Sequence, residues 1–254
     1  MIFPVECLGC GKNHEDLPAH ARWICPACTE KISLKTEQTC PYCEKASEGG
    51  ETHRACRGKT RLDGLWAACH YDGFVERAIY EYKFNFIRDI SYPLGEIMAK
   101  SVREAPEFGE FQEMTMINRA KEEEEGLYVD EVRNERRKAV IVPVPLHKKR
   151  YNWRGFNQSY LLSKKLGEGF GLPVREDLLM RAKNTKPQSK TKSGEERWRN
   201  IDRAFTCPHP EEAEGKDVIL VDDICTTSAT LSECAKELKA AGARHVWGLV
   251  VARR

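Results

Sequence analysis

The sequence predicts an α/β protein in which a mostly parallel sheet is flanked by helices and preceded by a small cysteine-rich module. Short apolar runs alternate with helical patterns from residue 65 to residue 251, an order typical of parallel sheets. Eight of the eleven cysteines lie before residue 70, and six of these form Cys-x2-Cys pairs. We therefore expect a module at residues 1–60 and an α/β domain at residues 61–254.

The cysteine spacing in the module predicts two structural zinc sites. Two ligands two residues apart can share one tetrahedral Zn²⁺, and each ion needs two such pairs. Sequential pairing is expected, although a crossed arrangement would use the same residues. Disulfides and redox-active pairs are the alternatives; a reducing cytosol and the lack of a thioredoxin-like unit disfavour them. The predicted ligands are Cys7, Cys10, Cys25 and Cys28 for one ion, and Cys40, Cys43, His53 and Cys56 for the other.

Residues 29–34 have a short helical pattern, residues 65–71 read as a strand, and residues 74–84 and 90–102 read as helices. Lys83 at the end of the first long helix is either a solvated charge or an anion ligand. Residues 101–135 carry eleven acidic and four basic side chains, a charge of −7. Like-charged blocks stay solvated, so residues 103–138 are interpreted as a surface insertion with no assigned function.

The next part of the chain is basic. Residues 139–146 read as a strand, a basic turn follows at 147–158, and a helix is expected at 159–166. Residues 147–203 carry fifteen basic and six acidic side chains, a charge of +9. Such a stretch suits weak, salt-dependent binding of single-stranded DNA, although a solvated face is the commoner explanation. The segment 181–205 is long, polar and basic, as in lids and binding loops.

Residues 218–251 predict one βαβ unit: an apolar strand, a polar turn, a helix ended by Gly242, and a second strand. The turn begins with the carboxylates Asp222 and Asp223. Amides at a helix N-terminus bind phosphate, and small residues let it approach closely. The turn also carries hydroxyl groups and small side chains, at Thr226, Thr227, Ser228, Ala229 and Thr230.

Two carboxylates beside a phosphate cradle suit a phosphorylated sugar, because they would accept hydrogen bonds from its ribose hydroxyls. The turn resembles the phosphoribosyl-pyrophosphate (PRPP) loop of type I phosphoribosyltransferases; an ordinary βαβ turn with two solvated acids is the alternative. The resemblance implies PRPP bound with Mg²⁺, Asp222 and Asp223 as catalytic residues, and a mobile hood at 181–205. It also implies pyrophosphate contacts from basic loops, at Lys148, Lys149, Arg150, Arg154, Gln188 and Arg197.

Taken together, the motifs resemble the ComF family, a group of bacterial phosphoribosyltransferase-like proteins tied to natural transformation. They are the cysteine pairs, residues 142–146 (Val-Pro-Val-Pro-Leu), residues 154–158 (Arg-Gly-Phe-Asn-Gln), Arg181 with Thr185 and Gln188, Arg197 with Asn200, residues 204–205 (Ala-Phe), and the acid-pair loop. The chain departs from the family at the acidic insertion, at His53, where cysteine is usual, and at Ser228, where glycine is usual.

The resemblance implies a type I phosphoribosyltransferase fold behind a double zinc-finger module, and a role in handling incoming single-stranded DNA in the cytoplasm. It also makes Lys83, which is part of a Lys-Phe motif, a stronger candidate for a functional residue. Implied partners are PRPP, single-stranded DNA, and proteins of DNA uptake or recombination. No apolar run is long enough to span a membrane. Three hypotheses follow: a phosphoribosyltransferase with an unnamed acceptor, a nucleic-acid-binding accessory protein with PRPP as regulator or no ligand, and a structural adaptor.

Overall fold

The computed structural model of the protein describes residues 5–105, 139–183 and 194–254. A four-stranded parallel sheet lies at its centre, in the order β1-β6-β5-β2. A separate antiparallel pair is formed by β3 and β4. The strands are β1 (Gly64–His70), β2 (Ala139–Pro143), β3 (Met180–Arg181), β4 (Phe205–Thr206), β5 (Asp217–Cys225) and β6 (His245–Arg253).

Helices cover both faces of the sheet. The longer ones are α3 (Gly73–Phe84), α4 (Ser91–Arg103), α5 (Lys148–Arg154), α6 (Gln158–Phe170), α7 (Gly194–Ile201) and α9 (Ala229–Ala240). Short α-helical turns are α1 (Ala19–Arg22), α2 (Pro26–Thr29) and α8 (Pro210–Ala213). Single 3₁₀ turns lie at Glu48–Gly50, Arg54–Cys56 and Arg88–Ile90.

The central strand β5 is buried on both sides, as its apolar run predicts. Successive side chains of a strand point to opposite faces, so Ile219 and Val221 enter one core while Val218 and Leu220 enter the other. The first core lies under α3, α4 and α6, and the second lies under α9. This packing fixes the register of β5 and therefore the position of the carboxylates at its end.

The predicted βαβ unit is confirmed. β5 and β6 pair in parallel, and α9 connects them with its buried face against the sheet. The helix ends at Ala240, and Gly242 follows at φ +89°, a conformation that favours glycine. Because parallel strands present their carboxyl ends at one edge, the ends of β5, β6 and β2 meet there.

The cysteine-rich segment packs directly on β1. The side-chain amide of Gln38 donates to the Ala67 carbonyl at 3.1 Å and accepts from the Ala67 N–H at 3.0 Å. Cys7, Cys25 and Cys28 belong to the same buried core as the sheet residue Trp66. The division into a module at 1–60 and a domain at 61–254 stays a prediction.

Three local predictions are wrong in detail. The helix expected at 29–34 is α2, which begins at Pro26 and ends at Thr29. The basic turn after β2 is largely helical, as α5, because the His147 side chain accepts a hydrogen bond from the Lys149 N–H and caps it. The segment 181–205 contains α7 and the β3–β4 pair, while its residues 184–193 lie outside the described part. The acidic insertion lies outside it from residue 106 to 138.

Helices in the described ranges are all too short or too polar to cross a bilayer.

Candidate functional site

The first cysteine cluster brings together four thiols from two chain segments. The Sγ atoms of Cys7, Cys10, Cys25 and Cys28 all lie within 4.8 Å of one another. The Cys25 N–H donates to the Cys7 Sγ at 3.3 Å. Burial opposes ionisation of Cys7, but backbone N–H groups outweigh it and lower the thiol pKa. A hydrogen bond with the His14 ring is the largest cause that lowers the pKa of Cys10 to about 6.

The second cluster joins Cys40, Cys43, His53 and Cys56, whose ligand atoms also lie within 4.8 Å of one another. The His53 Nδ1 is 3.3 Å from the Cys43 Sγ. The other ring nitrogen, Nε2, is 3.1 Å from the Ala46 carbonyl. A carbonyl can only accept, so Nε2 carries the proton and Nδ1 is left as a metal-ligating lone pair, the arrangement usual for ligating histidines.

Both donor sets fit Zn²⁺. A tetrahedral site with Zn–S bonds of about 2.3 Å places its sulfurs about 3.8 Å apart. Cys10 Sγ and Cys25 Sγ are 4.0 Å apart. All eleven cysteines are free thiols. The ligands are grouped sequentially along the chain, as the simpler of the two pairings predicts. Each set has four ligands and leaves no open position, which is typical of structural zinc.

The acid pair lies near the carboxyl end of β5, within the strand, which continues to Cys225; the turn therefore follows the carboxylates and does not begin with them as predicted. Asp222 accepts a 2.8 Å hydrogen bond from the Ser159 hydroxyl and a 2.9 Å bond from the Asp223 N–H. Asp223 is 4% exposed and its carboxylate is 2.8 Å from the Lys83 Nζ. Lys83 is therefore an ion-pair partner of Asp223 and not a solvated charge, and its role as an anion ligand stays a prediction.

The surroundings of Asp222 disfavour its charge. Burial is the largest cause and the neighbouring carboxylate of Asp223 is the second; together they raise the pKa of Asp222 to about 7. Lys83 and the Ser159 hydroxyl act in the opposite direction. A pair of close carboxylates held in this way is ready to accept a cation or hydroxyl donors.

Residues 154–158 hold this geometry in place. Gly155 ends α5 at φ +78°, and its carbonyl accepts a 2.8 Å hydrogen bond from the Arg88 guanidinium. The Asn157 amide donates to the Val144 carbonyl at 3.1 Å, and its oxygen accepts from the Ser159 N–H at 3.2 Å. These contacts begin α6 at Gln158 and place the Ser159 hydroxyl on Asp222.

The hydroxyl-rich turn leads from the acid pair into α9. Ser228 lies at φ +51° directly before the helix and is 4% exposed. Thr227 Oγ1 is buried without a hydrogen-bond partner among the described atoms. Buried hydroxyls are normally satisfied, so this group points to a ligand at the turn. The first amides of α9 supply further donors at the same place.

Two partly or fully buried arginines, Arg154 and Arg181, interact with the charge of the acid pair, and Arg150 lies near both of them. Burial lowers the pKa of Arg150 and of Arg154, while the charge of Asp223 opposes the change at Arg154. Burial, with the charge of Arg150, lowers the pKa of Arg181 to about 10. The Arg154 Nε is buried without a partner among the described atoms. An anion beside Arg154 would compensate this buried nitrogen.

The structure brings some of the predicted site residues together and separates others. Asp222, Asp223, Lys83 and Arg154 share one site, whereas Lys148 and Lys149 are exposed on α5. Gln188 lies outside the described residues, and the Arg197 side chain is not described. Sequence reasoning did not assign Ser159 or Arg181 to the site; the position of Ser159 at the end of the Arg-Gly-Phe-Asn-Gln motif was the available signal.

The chain is similar to proteins named for competence. The chain is 38% identical over 112 residues to competence protein F of Haemophilus influenzae, covering 43% of this chain and 48% of that protein. It is 28% identical over 216 residues to competence protein ComFC of Bacillus subtilis, covering 84% of this chain and 76% of that protein. The chain is thus similar to ComFC along most of its length and more strongly similar to competence protein F over a shorter stretch.

Other comparisons are narrower. This ComFC-like chain is 36% identical over 111 residues to DNA utilization protein YhgH of Escherichia coli K12, covering 48% of that protein. It therefore spans about half the length of competence protein F and of YhgH. No family profile matches the chain. A solved structure described as the allosteric regulatory enzyme of purine biosynthesis covers 44% of this chain and 22% of its own, with 20% identity and a TM-score of 0.31. A likeness that low carries no argument.

Proposed function

We propose that this ComFC-like protein binds PRPP with Mg²⁺ at the carboxyl end of β5 and acts as a phosphoribosyltransferase-like protein. The observation that carries the proposal is the buried Thr227 hydroxyl, which has no hydrogen-bond partner within the described ranges and lies between a carboxylate pair and the N-terminus of α9. A phosphorylated sugar offers hydroxyls to the carboxylates and a phosphate to the helix, so one ligand satisfies both groups.

In this proposal each side chain has a definite task. Asp222 and Asp223 orient the ribose by accepting its hydroxyls, while Thr227 and the first α9 amides hold the 5-phosphate. Arg150, Arg154 and Arg181 stabilise the pyrophosphate as the ribose C1–oxygen bond breaks and a bond from C1 to the acceptor forms. Mg²⁺, when held by the acid pair, adds positive charge against the leaving group.

Isothermal titration of PRPP in the presence of Mg²⁺ tests the proposal. The double variant Asp222→Asn with Asp223→Asn keeps size and hydrogen-bonding groups, and we expect a loss of affinity of about ten-fold or more. Thr227→Ala removes one neutral donor and should cost less. Ser228→Leu should abolish binding, because the larger side chain collides with the Pro41 carbonyl and displaces the turn. Asp16→Asn, the same change at an exposed carboxylate, is the matched control. A folded double variant that binds PRPP like the wild type would exclude this function.

A second candidate function, binding of single-stranded DNA, is favoured by an exposed ring surface beside the site. We define the ring surface as Tyr80, Phe84, Phe86, Tyr151 and Trp153, each at least 36% exposed. Phe86 and Trp153 stack edge-on at 4.9 Å, and Phe86 lies at φ +59°, unusual for a bulky residue. Lys148 and Lys149 are exposed on the helix that carries Trp153. Rings among basic groups suit stacked bases and phosphates.

Fluorescence anisotropy of a labelled oligothymidylate, measured at low and high salt, tests this candidate. Charge reversal at Lys148 and Lys149 should lower the affinity and reduce the salt slope by about 0.7 for each phosphate that the protein no longer neutralises. Trp153→Ala should weaken binding by about 1–3 kcal/mol. Tyr92→Ala, which removes another exposed ring from α4, should change little. If the affinity did not change with salt, the ring surface and the lysines beside it would be excluded as the DNA-binding site. With ComFC as a relative, we propose that the protein meets such strands in the cytoplasm during natural transformation, beside DNA-uptake or recombination proteins.

A further inference from the structure

The turn assigned to PRPP rests on the second cysteine cluster. The Ser228 hydroxyl donates to the Pro41 carbonyl, and it also lies 2.8 Å from the Thr227 carbonyl. Pro41 stands between two of the predicted metal ligands, Cys40 and Cys43. The segment 40–43, here called the knuckle, is thus in direct contact with the residue directly before α9. Ser228 and Pro41 are both buried, so the contact is shielded from water.

A second contact fixes the knuckle to the sheet. Arg253, at the end of β6, donates from Nη1 to the Thr39 hydroxyl and the Cys40 carbonyl, both at 3.0 Å. Its Nη2 donates to the Pro41 carbonyl at 3.2 Å. Arg253 pairs in register with Cys225, the last residue of β5, from which the PRPP turn departs. The knuckle and the turn therefore share one support at the carboxyl edge of the sheet.

The contact from Ser228 to Pro41 stabilises an unfavourable backbone conformation of Ser228. A left-handed φ of +51° costs a non-glycine residue free energy, and glycine would adopt it without strain. Serine, unlike glycine, has a hydroxyl that reaches the knuckle. The position where a glycine is usual in the resembling loops therefore carries, in this chain, a hydrogen bond between the turn and the cysteine cluster.

The first cluster offers a built-in comparison. It packs in the core under α3, where Gly9 approaches Phe74 and Cys28. The thiol of Cys28 lies in the same buried core as Trp66, on the face of the sheet opposite to α9. Metal at the first cluster thus supports the fold from another side, whereas metal at the second supports the turn itself.

We propose that metal binding at the second cluster and PRPP binding at the turn are coupled through Pro41 and Ser228. An ion at the second cluster holds the knuckle in one shape, and the Pro41 carbonyl then holds Ser228 in the conformation that opens the phosphate cradle. This inference rests on the proposed function, since the turn must bind PRPP. Coupling between two sites is reciprocal, so PRPP must in turn strengthen retention of the second metal ion.

Release of zinc to a chromogenic chelator measures this reciprocity in the full-length, metal-loaded protein. The phase whose rate changes in His53→Cys belongs to the second cluster. Saturating PRPP with Mg²⁺ should slow that phase about five-fold or more, the lower end of typical coupling, and leave the other phase unchanged. Ser228→Gly keeps the backbone conformation but loses the hydroxyl, so the protection should disappear at PRPP concentrations that saturate the variant.

Ser47→Gly is the matched control, because the Ser47 hydroxyl near the same cluster donates to the Glu51 carbonyl and not to the turn. It should keep full protection. If titration shows that PRPP binds but zinc release from the second cluster is not slowed, this inference alone is overturned. Full protection in Ser228→Gly would overturn the route through Pro41. Absence of PRPP binding to the metal-loaded protein would overturn the proposed function together with the coupling.

Discussion

At the scale of single residues, Asp222 carries a cost in the folded protein. Burial and the nearby Asp223 raise its pKa to about 7, compared with about 3.9 in an unfolded chain. Between these pH values the folded state binds more protons than the unfolded state, so the contribution of Asp222 to stability falls as pH rises through this window. The penalty is absent below about pH 4 and complete above about pH 7.

Asp222→Asn removes this titration while its oxygen still accepts from Ser159. We expect the variant to be more stable than the wild type at pH 8, by about 1 kcal/mol or more, which is about 2–4 °C in Tm for a chain of this size. The gain should shrink steadily toward pH 5. Thermal melts across that range measure it, with Asp16→Asn as control. A gain that is independent of pH would show that the charge of Asp222 carries no cost.

The order of residue types along the chain was enough to predict the acid pair, because an apolar run, two carboxylates, a hydroxyl cluster and a helical pattern follow one another. The partners of the pair were harder to find. Lys83 and Ser159 are 140 and 63 positions from the carboxylates that they bind, so only the packing of α3 and α6 on the sheet brings them there. Motifs next to these residues could mark them as candidates, but local patterns do not show which carboxylate each one contacts.

At the scale of elements, α6 delivers Ser159 to the site, and Asn157 decides where that helix begins. Asn157→Ala removes the N-cap and the bond to the Val144 carbonyl, so we expect about 2 kcal/mol of destabilisation. Asn157→Ser keeps a capping oxygen but cannot reach Val144, and should lose about half as much. Urea unfolding of the three proteins measures this. Equal losses in both variants would show that the cap contributes nothing.

Elements with a strong apolar period were predicted well, and polar ones were not. α9 and β6 follow from Leu231, Leu238 and the run at 246–251, all of which face a core. α5 was expected to be a turn because it has no buried residue and so no apolar period. Its helix is stabilised by the cap at His147 and by Gly155 at its end, which are weak signals in a basic sequence.

At the scale of the whole molecule, the cysteine clusters were predictable one by one but their attachment was not. Spacing alone gives the ligands, because a tetrahedral ion dictates paired donors. The contact from Ser228 to Pro41 spans 187 positions, and it depends on how the knuckle packs against the ends of β5 and β6. The same holds for the first cluster, whose thiols enter a core built from residues throughout the chain.

That shared core gives a prediction about the proposed boundary at residue 60. Cys7, Cys25 and Cys28 pack in one core with Trp66 and the central strands, so loss of the first metal ion must weaken the sheet as well. Cys28→Ser should lower the Tm of the full-length protein by at least about 5 °C, since structural zinc contributes several kcal/mol to folding. Tryptophan fluorescence and far-UV circular dichroism should report the same single transition.

Cys207→Ser is the matched control, because Cys207 is a half-buried thiol outside both clusters. It should leave Tm within about 1 °C, as most substitutions away from buried networks do. An independent module predicts a different result: Cys28→Ser would then unfold residues 1–60 in an early transition and leave the melting of the sheet unchanged. Two separate transitions would therefore establish the boundary, whereas one shared transition would show that the cysteine-rich segment and the sheet fold as a unit.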